Sequence, residues 1–168
     1  MPLSMYQVSA PVFVRALGNL SVILGKAAAH AEARKIDPTV FVNARLAPDM
    51  FPLSRQVQAA SDTSKGRVAR LAGIEVPRFE DTETSLSELQ ARIAKTVSFL
   101  GSVKAAQFEG AEDRTITLKL RGREVSFSAT DYLLTFALPN FFFHATTAYA
   151  ILRHNGLEIG KTDYLGSA

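Results

Sequence analysis

The apolar residues near the start of the chain recur at alternating intervals of four and three residues. The positions are Tyr6, Ala10, Phe13, Leu17, Leu20, Leu24, Ala27 and Ala31. This spacing puts them all on one face of an α-helix, and that face has to be covered by other helices. We therefore predict a long amphipathic helix packed in a bundle. Ser4 is a candidate N-cap for it, and Pro11 predicts either a kink or the true start of the helix.

Two further segments show helical periodicity. The second predicted helix has its inward stripe at Leu53, Val57, Ala60, Ser64, Val68 and Leu71, and Gly73 is placed to end it. A linker over residues 74–84 leads to Ser85-Leu-Ser-Glu88, a capping box that marks the start of the third helix. The inward positions of the third helix are Leu86, Leu89, Ile93, Val97 and Leu100. Between the first two helices, Asp37-Pro38 predicts a short additional helix.

The apolar period changes to two between residues 115 and 128. The segment "TITLKLRGREVSFS" alternates apolar and polar residues around Arg121-Gly122, which predicts a short β-hairpin. A fourth helix is then predicted from near Thr130-Asp131 to Asn155, with Gly156 ending it. We therefore predict an all-α four-helix bundle, with a small β-hairpin inserted before the fourth helix. Residues 1–168 form a single predicted domain.

The composition is typical of a soluble globular protein, with 47% hydrophobic and 21% charged residues. Nineteen basic and 16 acidic residues give a net charge of +3, and the basic residues are scattered. The charge pattern therefore predicts no nucleic-acid partner. No apolar run approaches the roughly 20 residues that cross a bilayer, so no membrane association is predicted. The absence of cysteine fits a reducing compartment, and we predict a cytoplasmic protein.

The fourth predicted helix differs from the others because its inward seam contains polar residues. In four-three alternation the seam is Leu133, Ala137, Asn140, His144, Thr147 and Ile151. A buried polar group without a partner costs about 1–3 kcal/mol, so the three polar residues require partners. They indicate a hydrogen-bonded polar layer, a water-filled pocket for a small ligand, or a metal site. The sequence assigns no catalytic residue.

Two glutamines of the second predicted helix, Gln56 and Gln58, are the nearest candidates to complete such a site. We predict a small-ligand site formed by one of these glutamines with Asn140, His144 and Thr147. The sequence does not decide which glutamine faces it.

The aromatic triplet at residues 141–143 predicts a partner surface. A helix cannot bury three successive side chains on one stripe, and a large exposed apolar patch is unusual on a monomer. We therefore predict a homodimer built partly on these phenylalanines.

Several segments resemble an uncharacterised bacterial family within the superfamily of DinB/YfiT-like metalloenzymes. They are "LAPDMFPLSRQVQ", "ARLAG", "PNFFFHATTAYAILRHNG" and the closing "GKTDYLG". The resemblance implies a DinB-like four-helix bundle that is often dimeric. It also implies a long crossover between the second and third helices.

The resemblance further implies a divalent metal, zinc or nickel, because members of the superfamily hold one with three histidines. One histidine lies in the second helix and two form an H-x-x-x-H motif in the last helix. His144 matches the second histidine of that motif, whereas Asn140 stands where the first would be. Gln56 or Gln58 lies nearest to the position of the remaining histidine. His144 is thus the one metal ligand that the resemblance leaves.

Two functions follow as alternatives. The first is a small-ligand-binding or interaction module with a degenerate metal site and no cofactor. The second is a metal-dependent enzyme similar to the thiol transferases or isomerases of the superfamily, with His144 as ligand or base.

Overall fold

A computed structural model describes residues 3–120 and 122–166. The helices are α1 (Ala10–Arg34), α2 (Thr39–Asn43), α3 (Leu53–Ala72), α4 (Leu86–Ser102), α5 (Ala129–Asp131), α6 (Leu138–His154) and α7 (Lys161–Leu165), and the strands are β1 (Thr115–Leu120) and β2 (Arg123–Ser128). Two short 3-10 helices, Ala105–Phe108 and Ala111–Asp113, follow α4, and a π-helical segment, Tyr132–Ala137, joins α5 to α6. The long helices α1, α3, α4 and α6 surround one hydrophobic core, with α1 against α4 and α3 against α6. The predicted four-helix bundle with an inserted hairpin is confirmed.

Helix α1 begins later than the sequence pattern suggested. It starts at Ala10 with Pro11 in its first turn, so the predicted N-cap at Ser4 is wrong. Proline has no N–H to bind the carbonyl four residues earlier, and the helix therefore cannot continue back through residue 7. Ser4 instead closes a separate turn. Its backbone N–H donates to Gln7 Oε1 (3.0 Å), and the Gln7 N–H donates to Ser4 Oγ (3.2 Å).

The predicted ends of the middle helices are confirmed. Gly73 adopts a left-handed φ of 68° at the end of α3, where its N–H binds the last carbonyls of the helix. Ser85 and Glu88 form the capping box of α4, since the Glu88 N–H donates to Ser85 Oγ at 3.2 Å and the Ser85 N–H donates to Glu88 Oε2 at 3.1 Å. The short helix after Asp37-Pro38 is also present as α2.

The long crossover between α3 and α4 is held in place by Arg92, whose side chain is almost fully buried. Its Nη1 donates to Glu83 Oε1 at 2.9 Å, while its Nη2 contacts Asp62 and Asp81 at 2.8 and 2.9 Å. Asp81 and Glu83 belong to the crossover and Asp62 to α3. We call Asp62, Asp81, Glu83 and Arg92 the Arg92 cluster. It joins the crossover to both neighbouring helices.

The hairpin pairs β1 with β2 in antiparallel register, from Thr115 opposite Ser128 to Leu120 opposite Arg123. Ile116 and Leu118 are buried on its inner face, as the alternation predicted. Of the predicted turn residues, Gly122 has a φ of 80°. Arg121 lies outside the described residues.

Helix α1 is long and apolar enough to cross a membrane by length and composition alone. Its seam residues, such as Phe13, Leu17 and Leu24, are fully buried against the other helices. These residues belong to the hydrophobic core of the bundle.

Candidate functional site

The last long helix contains an irregularity that sets the orientation of the candidate site. α5, the π-helical segment and α6 run on without a break, and Pro139 stands in the first turn of α6. Proline lacks the N–H that an α-helix would direct to the carbonyl of Thr135. A π turn closes with i→i+5 hydrogen bonds and so accommodates one extra residue. The residues after it are therefore rotated by about 100° relative to an uninterrupted α-helix.

This rotation changes which residues of α6 face the core. After Leu133 and Ala137 the buried positions, each 6% exposed or less, are Phe141, Ala145, Thr147, Ala148, Ile151 and Leu152. Thr147 and Ile151 of the predicted seam are therefore buried as expected. Asn140 and His144 are not, because both are half-buried at the edge of the helix that faces α3. The π segment explains why Phe141 and Ala145 face the core in place of Asn140 and His144, because the four-three alternation assumes an uninterrupted α-helix.

Polar side chains connect α6 to α3 at two points along these two antiparallel helices. His144 Nδ1 lies 2.8 Å from Gln56 Oε1. About two turns further along α3, Thr63 Oγ1 donates to Asn140 Oδ1 at 3.0 Å. His144 and Asn140 therefore each have one hydrogen-bond partner on α3.

The hydrogen bonds of Gln56 determine the tautomer of His144. Gln56 is 1% exposed, and its Nε2 donates to the carbonyl of Phe51 at 3.3 Å. The amide oxygen therefore faces His144 and can only accept, so His144 Nδ1 carries the proton and Nε2 keeps a free lone pair. Within the described residues, the buried side-chain nitrogens without a partner are Arg67 Nε and Arg92 Nε. His144 Nε2, which has no hydrogen-bond partner there, is consequently open to solvent.

The surroundings of His144 keep the imidazole neutral. Burial lowers the pKa of His144, and the positive charge of Arg55 lowers it further. One largely exposed aromatic ring lies beside the imidazole and a second lies beside Arg55. Phe143 lies 5.3 Å from the imidazole between ring centroids, and Phe51 lies under the Arg55 guanidinium at 5.8 Å. We call Phe51, Arg55, Gln56, Phe143 and His144 the His144 site.

The other predicted site residues lie elsewhere or bind locally. Gln58 donates to Glu83 Oε2 at 2.9 Å and so adjoins the Arg92 cluster. Thr147 is buried and donates to the carbonyl of Phe143, one turn back in its own helix, at 2.7 Å. Of the two glutamines, Gln56 is therefore the one that contacts His144.

Sequence reasoning missed Phe51, Arg55 and Thr63. The spacing of Gln56 and Thr63, seven residues apart on one face of α3, was the available signal for Thr63. Phe51 has no periodic signal because it precedes the helix.

The donors at the His144 site do not fit a transition metal. In the part of the chain that the structure describes, no group of three or more His, Cys, Asp or Glu residues is placed to hold a metal ion. Zinc sites use several imidazole, thiolate or carboxylate ligands. Here the oxygens of Gln56 and Asn140 already accept hydrogen bonds from His144 and Thr63. Of the atoms at the His144 site, His144 Nε2 is therefore the one strong metal ligand that remains.

Comparison with known proteins places the chain in a family. Residues 5–165 match the family described as "Domain of unknown function (DUF1993)". A comparison with curated proteins finds no match. The crystal structure of a DinB family member protein from Shewanella denitrificans is 43% identical and has a TM-score of 0.89, with 98% of this chain and 93% of that chain covered. The chain therefore belongs to the DUF1993 family, a family of unknown function within the DinB-like superfamily.

Proposed function

We propose that this protein is a small-ligand-binding module and that its ligand donates a hydrogen bond to His144. The observation that supports this most directly is the hydrogen bond between His144 Nδ1 and Gln56 Oε1. It leaves Nε2 as an acceptor open to solvent, and the lowered pKa keeps that nitrogen unprotonated at neutral pH.

The residues around the acceptor indicate the shape of the ligand. Phe51 and Phe143, which are 51% and 56% exposed, offer flat apolar surfaces. The charge of Arg55 is partly compensated by its ion pair with Asp81. We therefore expect a small, planar, uncharged molecule with an N–H or O–H group.

The proposal is tested first through the tautomer of His144. Long-range ¹H–¹⁵N NMR on the wild type at neutral pH should show the proton on Nδ1. Gln56→Leu should abolish this preference because it removes the acceptor. Gln58→Leu, the matched control, should leave it unchanged. A wild-type signal with the proton on Nε2 would contradict the proposal.

Binding itself is tested with phenol as a planar probe that carries one O–H donor. Titration should shift the His144 ring signals saturably in the wild type, and His144→Ala should weaken phenol binding to the level of nonspecific association. No saturable shift at millimolar phenol would count against a site for this class of ligand.

The alternative is a metal-dependent transferase or isomerase that uses His144. Membership of a DinB-like family favours it, together with the free lone pair on His144 Nε2. Elemental analysis discriminates between the two. Stoichiometric zinc or nickel that survives dialysis against a chelator, and that is lost in His144→Ala, would establish the metal-dependent alternative.

We also propose that the module works in the cytoplasm as a homodimer. The cysteine-free composition supports the location, since a reducing compartment requires no disulfides. The exposure of Phe143 supports the dimer.

A further inference from the structure

A second cavity lies at the end of the bundle where the chain before α1, the two 3-10 helices and the start of the last helix meet. Its volume is about 740 Å³, within the usual range for small-molecule sites. The lining is mostly apolar and includes Met5, Val8, Phe108 and Leu133. Leu133 is eleven residues from His144 in the same helical stretch, which corresponds to about 15 Å along the axis. The cavity is therefore separate from the His144 site.

The walls of this cavity are held by defined contacts. Because α1 starts only at Ala10, the residues before it form a turn closed by Ser4 and Gln7. Tyr6 of that turn packs edge-on against Phe108, with ring centroids 5.5 Å apart. Phe108 and Leu133 are 4% and 0% exposed, so the floor of the cavity belongs to the core of the bundle.

The rim of the cavity is acidic. Glu109 and Glu112 line it, and both side chains are exposed. Among the described residues neither carboxylate forms a salt bridge, and no lysine or arginine lines the cavity. The guanidinium of Arg114 is nearby, but its Nη2 donates to the backbone carbonyls of Gln107 and Glu109. An apolar interior with two unpaired carboxylates at its mouth favours an apolar molecule that carries a positive charge.

We propose that this cavity binds small organic cations with an apolar body, of which an alkyl primary amine is the simplest example. The alkyl chain lies against Met5, Val8 and Leu134, and the ammonium group remains at the rim beside Glu109 and Glu112. This site is independent of the function proposed for His144.

The probe for the test is n-octylammonium, with n-octanol and octanoate as neutral and anionic analogues of the same chain length. Calorimetric titration of the full chain should give the tightest binding for n-octylammonium and the weakest for octanoate. Amide chemical-shift changes should concentrate in residues 3–8, 105–112 and 130–134.

Matched variants separate the two parts of the proposal. Ala106→Trp fills the cavity from its exposed rim and should abolish binding, whereas Ala33→Trp, at an exposed position of α1 outside the cavity, should not. The double variant Glu109→Gln/Glu112→Gln should weaken n-octylammonium binding about threefold to tenfold and leave n-octanol binding unchanged. The control pair Glu75→Gln/Glu158→Gln removes two exposed charges elsewhere and should have no such effect.

Three results would overturn the inference. The first is the absence of saturable n-octylammonium binding at millimolar concentration. The second is binding that persists in Ala106→Trp, which would place the site elsewhere. The third is equal affinity for octanoate and n-octylammonium, which would remove the role of the carboxylates.

Discussion

At the scale of single residues, His144 depends on a side chain that is itself buried. Gln56 is 1% exposed, and its amide oxygen has His144 Nδ1 as its hydrogen-bond donor. A buried acceptor that loses its donor keeps its full desolvation penalty. The imidazole therefore contributes to stability as well as to the candidate site.

Truncation of the imidazole should measure that contribution. His144→Ala should lower the free energy of unfolding by about 1–3 kcal/mol, because Gln56 Oε1 is left without a donor. His154→Ala is the matched control, since His154 is exposed at the end of α6, and it should change stability by about 0.5 kcal/mol or less. Urea denaturation at neutral pH checks both variants. An equal loss of unfolding free energy in the two variants would show that the hydrogen bond to Gln56 does not stabilise the fold.

The lowered pKa of His144 predicts a pH dependence with a definite sign. In the unfolded chain the imidazole binds a proton below its ordinary pKa of about 6.5, whereas in the folded protein it stays neutral to a lower pH. Stability should therefore fall as the pH decreases below about 6.5, until the folded state is also protonated. Denaturation curves from pH 7.5 down to pH 5 should show a shallower decline in His144→Gln than in the wild type. An equal decline of stability with pH in both proteins would contradict the lowered pKa of His144.

At the scale of secondary-structure elements, the crossover between α3 and α4 is fixed by charge. Arg92 is 3% exposed and contacts three carboxylates, of which two lie in the crossover itself. Glu83 is the most buried of these carboxylates, whereas Asp62 and Asp81 are about a third exposed and also pair with Lys65 and Arg55. The cluster therefore determines the path of an otherwise irregular segment.

Substitution of Arg92 should destabilise the fold. Arg92→Met should lower the free energy of unfolding by about 1–3 kcal/mol, because the part-buried Glu83 loses its cation while Asp62 and Asp81 keep Lys65 and Arg55. Lys95→Met is the control, since Lys95 is exposed and lies over the Phe79 ring at 4.1 Å. Its cost should be about 0.5–1 kcal/mol. Urea denaturation measures both changes. A small effect of Arg92→Met would show that the crossover is held by packing instead.

At the scale of the whole molecule, the three phenylalanines at residues 141–143 differ in how far each is buried. Phe141 is fully buried and packs edge-on against Phe13 with ring centroids 4.8 Å apart, whereas Phe142 is half-buried and Phe143 is 56% exposed. The last of the three is thus the most accessible to a second copy of the chain. The homodimer that we propose therefore depends on Phe143.

Sedimentation velocity tests the dimer. The wild type should sediment as a dimer at micromolar concentration, and Phe143→Asp should sediment as a monomer because a charge would be buried in the interface. Val22→Asp, at a 60% exposed position of α1, should remain dimeric. A monomeric wild type would refute the dimer.

Metal content is the second whole-molecule prediction. Purified, untagged protein should contain no stoichiometric zinc or nickel after dialysis against a chelator, because one imidazole and neutral amides bind such ions weakly. His144→Ala should leave the metal content unchanged. A metal that survives the chelator in the wild type would contradict this expectation.

The sequence by itself determined the bundle, the end of α3, the start of α4 and the hairpin. Apolar periodicity, the Ser85–Glu88 capping box and the left-handed Gly73 all depend on residues within a few positions of one another. Local geometry is enough to interpret such signals. The segments that resemble DinB-like proteins likewise identify the family from the sequence.

Only the tertiary structure decided the orientation of the last helix and the identity of the site. The π-helical segment Tyr132–Ala137 rotates the residues that follow it, and no local periodicity indicated the extra residue. The partner of His144 lies 88 positions away, and the choice of Gln56 over Gln58 depends on how α3 and α6 pack. Neighbouring residues on a helix point about 100° apart, so a shift of one position moves a side chain from the core to the edge.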